Sequence, residues 1–307
     1  MKVLISGATG FLGSAIAGEL LERGIELIAT YRNTSSFHKC LLFKDKITWI
    51  NTDNPDWKDK IFQSKPDQFI HAAWRGIKSE DRNDWDVQLE NFKLSKTYFD
   101  VAKACGIQKV IALGSQAEYG VQAAAATEHT TPLPTDAYGS VKLLTQNYLR
   151  NVIADSTTAW YWLRVYSVFG EGENAEWFIP SVISTLLKHE PVQLTPCEQR
   201  YNYLYIKDFT AQIAAIVACN ENKSGIYNIC TTEAVALNDL VSKIADLAGV
   251  SHELLQFGAL PYRNGQQMLI HGDNTTFRTV FNPTGKPSFG LEKGLLKTIE
   301  YYKGKLV

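Results

Sequence analysis

A doubly wound parallel α/β sheet followed by a smaller mixed α/β lobe is the fold class this sequence predicts, on three observations. The apolar run Val3-Leu4-Ile5 enters the glycine-rich stretch Gly7-Ala8-Thr9-Gly10-Phe11-Leu12-Gly13 directly. Short β-branched runs then alternate with amphipathic stretches to about residue 170. Beyond Gly170, aromatic residues and prolines punctuate the chain at Phe178-Ile179-Pro180, Glu190-Pro191, Thr195-Pro196, Leu260-Pro261 and Asn282-Pro283.

Taken in order, strands are expected over 3–5, 27–30, 47–51, 68–72, 109–113 and 160–165, where apolar and β-branched residues concentrate. Between them, helices are expected over 14–23, 86–105 and 137–154, the second closed by Gly106 as a C-cap. Strands alternating with helices give parallel crossovers, so residues 1–170 read as a Rossmann-type dinucleotide-binding domain. Residues 171–307 read mainly as a substrate lobe, with helices near 182–188, 208–219, 237–248 and 291–302. Within it a stretch of about 202–230, especially 208–218 and 226–229, is expected to return to the main sheet.

Composition narrows the function. The 307 residues are 45% hydrophobic, enough for a substantial core, and 31 basic against 32 acidic residues leave a net charge of -1. Without a basic block, a nucleic-acid footprint is not expected. Five scattered cysteines with no C-x-x-C pair fit a reduced, cytoplasmic protein, and the histidines have no metal-ligand spacing. A strand starting at the first residues leaves no room for a signal peptide, and no apolar run approaches the ~18 residues of a membrane span.

The glycine stretch has the chemistry of a dinucleotide cradle. Gly7 suits the tight turn, Gly10 a close approach of backbone to pyrophosphate, and Gly13 close packing of helix on strand. Helix N–H groups and the macrodipole favour the pyrophosphate there. Further on, Tyr138 and Lys142 stand four apart on one helix face, so that an ammonium can lie beside a phenol and favour its phenolate. Ser115 follows a strand, at the carboxyl end where open α/β sheets bind ligands, and its hydroxyl can bond a substrate oxygen.

Together Gly7–Gly13, Gly114-Ser115-Gln116-Ala117-Glu118-Tyr119-Gly120 and Tyr138-Gly139-Ser140-Val141-Lys142 resemble the extended short-chain dehydrogenase/reductases, in the subgroup that acts on nucleotide sugars. The likeness continues through His71-Ala72-Ala73, Asn91, Leu163-Arg164-Val165-Tyr166-Ser167-Val168-Phe169-Gly170, Asn202-Tyr203-Leu204-Tyr205-Ile206-Lys207-Asp208 and Gly225-Ile226-Tyr227-Asn228-Ile229. It implies that Ser115, Tyr138 and Lys142 are catalytic and that Lys142 also holds the nicotinamide ribose. It further implies cofactor contacts from Gly7, Thr9, Gly10, Phe11, Leu12, Gly13, Ala72, Ala73 and Tyr166, and a homodimer built on the helices over 86–105 and 137–154.

An acidic residue at the end of the second strand would mark NAD. Here Ala29-Thr30-Tyr31-Arg32-Asn33-Thr34-Ser35-Ser36 offers a guanidinium and hydroxyls instead, which suit a 2′-phosphate, so NADP(H) is expected over NAD(H). By the resemblance Asp53 meets adenine.

Relatives of this kind dehydrate, epimerise or reduce. Sugar-nucleotide 4,6-dehydratases place an Asp-Glu pair after the hydroxyl residue, and Gln116-Ala117 cannot supply that acid–base chemistry. NADPH implies net reduction, and Tyr201 stands where epimerases carry an arginine, as in reductases of the CDP-abequose, CDP-paratose and dTDP-fucose-forming kind. The reading is a C4 reduction of a dTDP- or CDP-linked 4-keto-6-deoxyhexose, serving deoxysugar synthesis for surface polysaccharide. An NAD-dependent nucleotide-sugar 4-epimerase is the alternative enzyme, and an idle NADP(H)-binding regulator the alternative of another class. Trp74, Gln116, Ser167, Trp177, Arg200, Tyr201, Asn202 and Arg263 are the candidate substrate contacts, with Arg200 or Arg263 toward the diphosphate.

Overall fold

The computed structural model describes residues 1–78, 80–281 and 288–306, so the expected Asn282-Pro283 break lies outside the described residues. The first half runs β1 (Lys2–Ser6), α1 (Phe11–Glu22), β2 (Glu26–Tyr31), β3 (Ile47–Asn51), α2 (Trp57–Ser64), β4 (Gln68–His71), α3 (Trp85–Ala104), β5 (Lys109–Ser115), α4 (Ala137–Val152) and β6 (Ala159–Val165). The second runs β7 (Ser167–Phe169), α5 (Phe178–Leu187), β8 (Val192–Gln193), β9 (Arg200–Tyr201), β10 (Tyr203–Tyr205), α6 (Ile206–Ala218), β11 (Gly225–Ile229), β12 (Val235–Ala236), α7 (Leu237–Ala248), β13 (Leu255–Gln256), β14 (Leu269–Ile270), α8 (Thr275–Phe281) and α9 (Gly290–Leu306).

Seven strands form one parallel sheet in the order β11-β6-β5-β4-β1-β2-β3. The chain winds outward from β1 through β2 and β3, then restarts at β4 on the other side. The carboxyl ends of β1 and β4 therefore border a crevice, where such sheets take their ligands.

Period-two alternation builds the two faces. Val3 and Ile5 join a core with Ile16 and Leu20 of α1, whereas Leu4 joins Phe69, Tyr98 and Phe99 on the opposite side. Each fully buried side chain of this size contributes about 1.5–3 kcal/mol. α3 packs beside α4, and α1 beside α6. Aspartates start both helices of the first pair: Asp84 Oδ1 accepts from Val87 N at 3.0 Å and Asp136 Oδ1 from Gly139 N at 2.7 Å.

The expected return to the main sheet is realised by α6, against α1, and by β11, beside β6. It does not include residues 203–205, because β10 pairs with β7 in a separate two-stranded sheet. Two small sheets, β12-β9-β14 and β13-β8, organise the lobe. The first helix begins at Phe11, three residues before the expected start, since Gly10 already occupies the cap position. α2 and α8 were not expected; both are short. Among the described residues no helix is long and apolar enough to cross a membrane.

Candidate active site

Gly7 turns the chain off β1 with φ +76°, and a Cβ there would meet Ala73 N at 2.6 Å. The two loops that follow β1 and β4 thus touch backbone to backbone. Gly10 caps α1 with no side-chain hydrogen bond, so the N–H groups of the first helical turn remain for a ligand. A groove of about 390 Å³ opens over this turn and is lined by Gly7, Thr9 and Gly10 from the glycine stretch and by Ala72 and Ala73 after β4. Tyr31 and Arg32 at the end of β2 complete it. Phe11 and Leu12 pack against the core beneath. A glycine cradle and a helix N-terminus opening on this groove fit a dinucleotide.

Asn33 and Asp53 are placed differently from expectation. The Asp53 carboxylate accepts from Asn33 N at 2.7 Å, and the Asn33 amide oxygen accepts from Asn51 Nδ2 at 2.7 Å. The two residues brace the loops after β2 and β3, and Thr52 rather than Asp53 lines the groove.

Ser115 ends β5 and caps a short turn, Gln116–Tyr119, whose Glu118 carboxylate accepts from Ser115 N at 2.8 Å. Glu118 is wholly buried and is held by Trp162 Nε1 at 2.9 Å and Arg164 Nε at 2.8 Å, both from β6. Arg164 also stacks over the Tyr119 ring, 4.3 Å from its centroid. The serine is thereby positioned by a buried ion pair. A charge inside the apolar run Tyr161-Trp162-Leu163-Arg164-Val165 was the sequence signal for it, since a strand buried on both faces admits an arginine only with a partner.

Tyr138 and Lys142 occupy successive turns of α4. The Ser115 hydroxyl faces the Tyr138 phenol and favours its ionised form. Burial lifts the phenol above its ordinary value, with Ser115 and Arg82 acting downward and Glu118 and Asp136 upward. Lys142 Nζ is 5.8 Å from the Tyr138 ring centroid; it donates to Leu113 O at 2.7 Å and lies 3.6 Å from the Trp74 ring centroid. Burial pulls its ionisation down to about 7, against the pull of Glu118. The cation over the phenol ring is Arg82, 4.4 Å from the centroid, a residue that sequence reasoning missed.

Trp74 joins the groove to the trio. It lines the groove, meets the Tyr138 ring edge-on at 6.0 Å, and donates from Nε1 to Gln88 Oε1 at 2.9 Å. Asn91 fixes the same loop, accepting from Arg75 N at 3.0 Å and donating to Arg75 O at 2.9 Å. Beneath it His71 bridges the Ser6 and Ser95 hydroxyls at 2.7 and 2.8 Å, and burial, with the Lys142 charge, depresses it to about 3. It therefore stays neutral.

The remaining substrate candidates divide. Gln116 Oε1, one residue from Ser115, is buried without a hydrogen-bond partner among the described residues. Ser167 opens β7, and Trp177, 40% exposed, precedes α5. Tyr201 donates to Gln267 O at 2.6 Å and accepts from Gln266 Nε2 at 2.7 Å, Arg200 Nη2 donates to Ala234 O at 2.9 Å, and Arg263 is exposed in the loop after β13. Two candidates turn inward. Asn202 is fully buried, with Nδ2 donating to Thr231 O and Glu233 O at 3.0 and 2.8 Å and Oδ1 accepting from Gly272 N at 2.7 Å. It clasps the lobe rather than a sugar. Tyr166 packs in a cluster with Tyr119, Ala126 and Cys230, away from the groove lining it was expected to share.

Residues 3–230 match the family model described as the NAD dependent epimerase/dehydratase family. The chain is 25% identical over 290 residues to dTDP-6-deoxy-L-talose 4-dehydrogenase (NAD(+)) of Aggregatibacter actinomycetemcomitans, covering 89% of this chain and 99% of that protein. It is 24% identical over 255 residues to dTDP-4-dehydro-6-deoxyglucose reductase of Escherichia coli, covering 79% and 80% respectively. In fold it is similar to a UDP-glucose 4-epimerase from Thermotoga maritima solved with UDP-glucose, with a TM-score of 0.88, 21% identity and 100% of each chain covered.

Proposed function

The chain belongs to the NAD dependent epimerase/dehydratase family as an NAD(P)-dependent oxidoreductase of sugar CH–OH groups, and from that premise we propose that it uses NADPH to reduce the C4 keto group of a dTDP- or CDP-linked 4-keto-6-deoxyhexose. The observation that carries this reading is a Tyr138 phenol that burial keeps protonated and that faces Ser115, with Gln116-Ala117 beside them in place of an acid pair. A phenol held above its ordinary value is an acid at neutral pH, as reduction of a ketone requires. Two relatives named for redox chemistry on dTDP-linked 6-deoxysugars support the substrate class.

Gly7, Thr9 and Gly10 would hold the cofactor pyrophosphate, and Arg32 the 2′-phosphate, with no acidic side chain at the end of β2 to meet a free ribose hydroxyl. When bound, the nicotinamide supplies the hydride. Ser115 donates a hydrogen bond to the carbonyl oxygen and orients it; Tyr138 delivers its proton to the same oxygen as the C=O bond becomes C–OH. Lys142, fixed by Leu113 O and the Trp74 face, sets the floor of the site and is ready to relay a proton near neutral pH. Gln116 Oε1 takes a sugar hydroxyl. The partner in assembly is a second copy: α3 and α4 lie side by side with Trp85, Leu89 and Leu144 exposed, a face suited to a four-helix homodimer interface.

NADPH absorbance during incubation with dTDP-, CDP- and GDP-linked 4-keto-6-deoxyhexoses, with NADH in parallel, tests the reading. Oxidation with one nucleotide is expected. No oxidation with any of them, together with NAD retained through purification, overturns it in favour of an epimerase.

A further inference from the structure

We infer that Arg82 is a positioning residue that sets the acidity of Tyr138 through a cation held over the phenol ring by Asp136. The inference rests on the reading of Tyr138 as the proton donor. The guanidinium carbon lies 4.4 Å from the ring centroid. Its Nε and Nη2 both donate to Asp136 Oδ2, at 2.9 and 2.7 Å, while Asp136 Oδ1 caps α4 through Gly139 N at 2.7 Å. Backbone contacts lock the same register: Arg82 O accepts from Tyr138 N at 2.9 Å, and Asn83 Oδ1 from Ala137 N at 3.3 Å. One aspartate therefore starts the helix that carries the phenol and aims the arginine at it.

Among the described residues, Ser115 faces the hydroxyl, Trp74 meets the ring edge-on, Glu118 and Asp136 oppose ionisation, and Arg82 and Lys142 are the cations. Phenolate charge spreads into the ring, so a cation over the face stabilises it more than it stabilises the phenol. Lys142 is farther off and ionises near 7. Arg82 sits closer, and its planar guanidinium suits stacking on an aromatic face. It moderates the rise that burial imposes, so that the proton is retained at rest yet released when oxygen charge develops on the substrate.

A fluorotyrosine placed at position 138 alone in the full chain, titrated by fluorine NMR, reads this acidity without any substrate. Arg82→Gln is expected to raise the titration midpoint by about 1 in pH, and Arg82→Lys to stay nearer the parent. Arg82→Met, which removes the charge and keeps the side-chain length, is expected to raise it likewise, and this arm holds if the glutamine variant does not fold. A midpoint unmoved by Arg82→Gln or Arg82→Met, or moved equally by Arg82→Lys, overturns the inference and leaves Arg82 a mechanical clip. Should the midpoints move as stated while no nucleotide sugar is reduced, the assignment of Arg82 stands and the reductase reading fails.

Discussion

A Cβ on Gly13 would lie 2.1 Å from the carbonyl oxygen of Gly7. α1 therefore leans on the turn that feeds it, and the cradle keeps its shape only while residue 13 has no side chain. Backbone cannot yield as a flexible side chain would. Gly13→Ala is expected to cost about 1–3 kcal/mol of stability through overpacking and to abolish most NADPH binding, measured by urea unfolding and by calorimetric titration.

The Glu118–Arg164 pair carries a second expectation. Removing one member strands a buried charge, so Arg164→Leu should destabilise by about 3–5 kcal/mol, whereas the double change Glu118→Met with Arg164→Leu should recover much of that loss. Denaturant unfolding of these two variants and of Glu118→Met alone measures the coupling. Both single variants should also lose turnover, because Ser115 N hangs on Glu118.

Lys142 makes stability depend on pH. Its folded ionisation near 7 lies below its ordinary value of 10.5. Between those values the unfolded chain binds a proton that the folded chain does not, so stability rises with pH in that window and is lowest beneath it. Relative to Lys142→Met, the parent should gain stability with a slope of about 1.4 kcal/mol per pH unit from pH 7 upward. Thermal unfolding of both proteins across pH 6 to 10 checks the sign; parallel curves would contradict it.

Arg32 should decide the coenzyme. A charge-assisted contact contributes about 1.5–3 kcal/mol, so Arg32→Ala is expected to lower kcat/KM for NADPH by roughly 10- to 100-fold while leaving NADH nearly unchanged. Steady-state kinetics with both coenzymes settles the comparison.

Asn202 should matter to folding and little to recognition. Its amide ties three backbone groups of the lobe, so Asn202→Ala should cost about 1–3 kcal/mol in thermal unfolding, with KM for the nucleotide sugar close to the parent in the protein that remains folded.

The doubly wound sheet and its glycine turn were legible in the chain because each is local, a β-branched run or a turn that needs glycine, and the proposed trio Ser115, Tyr138 and Lys142 rests on equally local patterns, two of its members standing four apart on one helix. Polar contacts across the sheet were not. Nothing near Asn202 in sequence says that Gly272 will take its oxygen, and nothing near Tyr138 says that Arg82, fifty-six positions earlier, will lie over its ring. The sequence by itself determined the strands of the main sheet, most of its helices and the residues at its carboxyl end, since propensity and periodicity act over a few residues. Only the tertiary structure decided which charge meets the phenol and which candidates turn inward, because electrostatics and hydrogen bonding act through space, between segments that folding alone brings together.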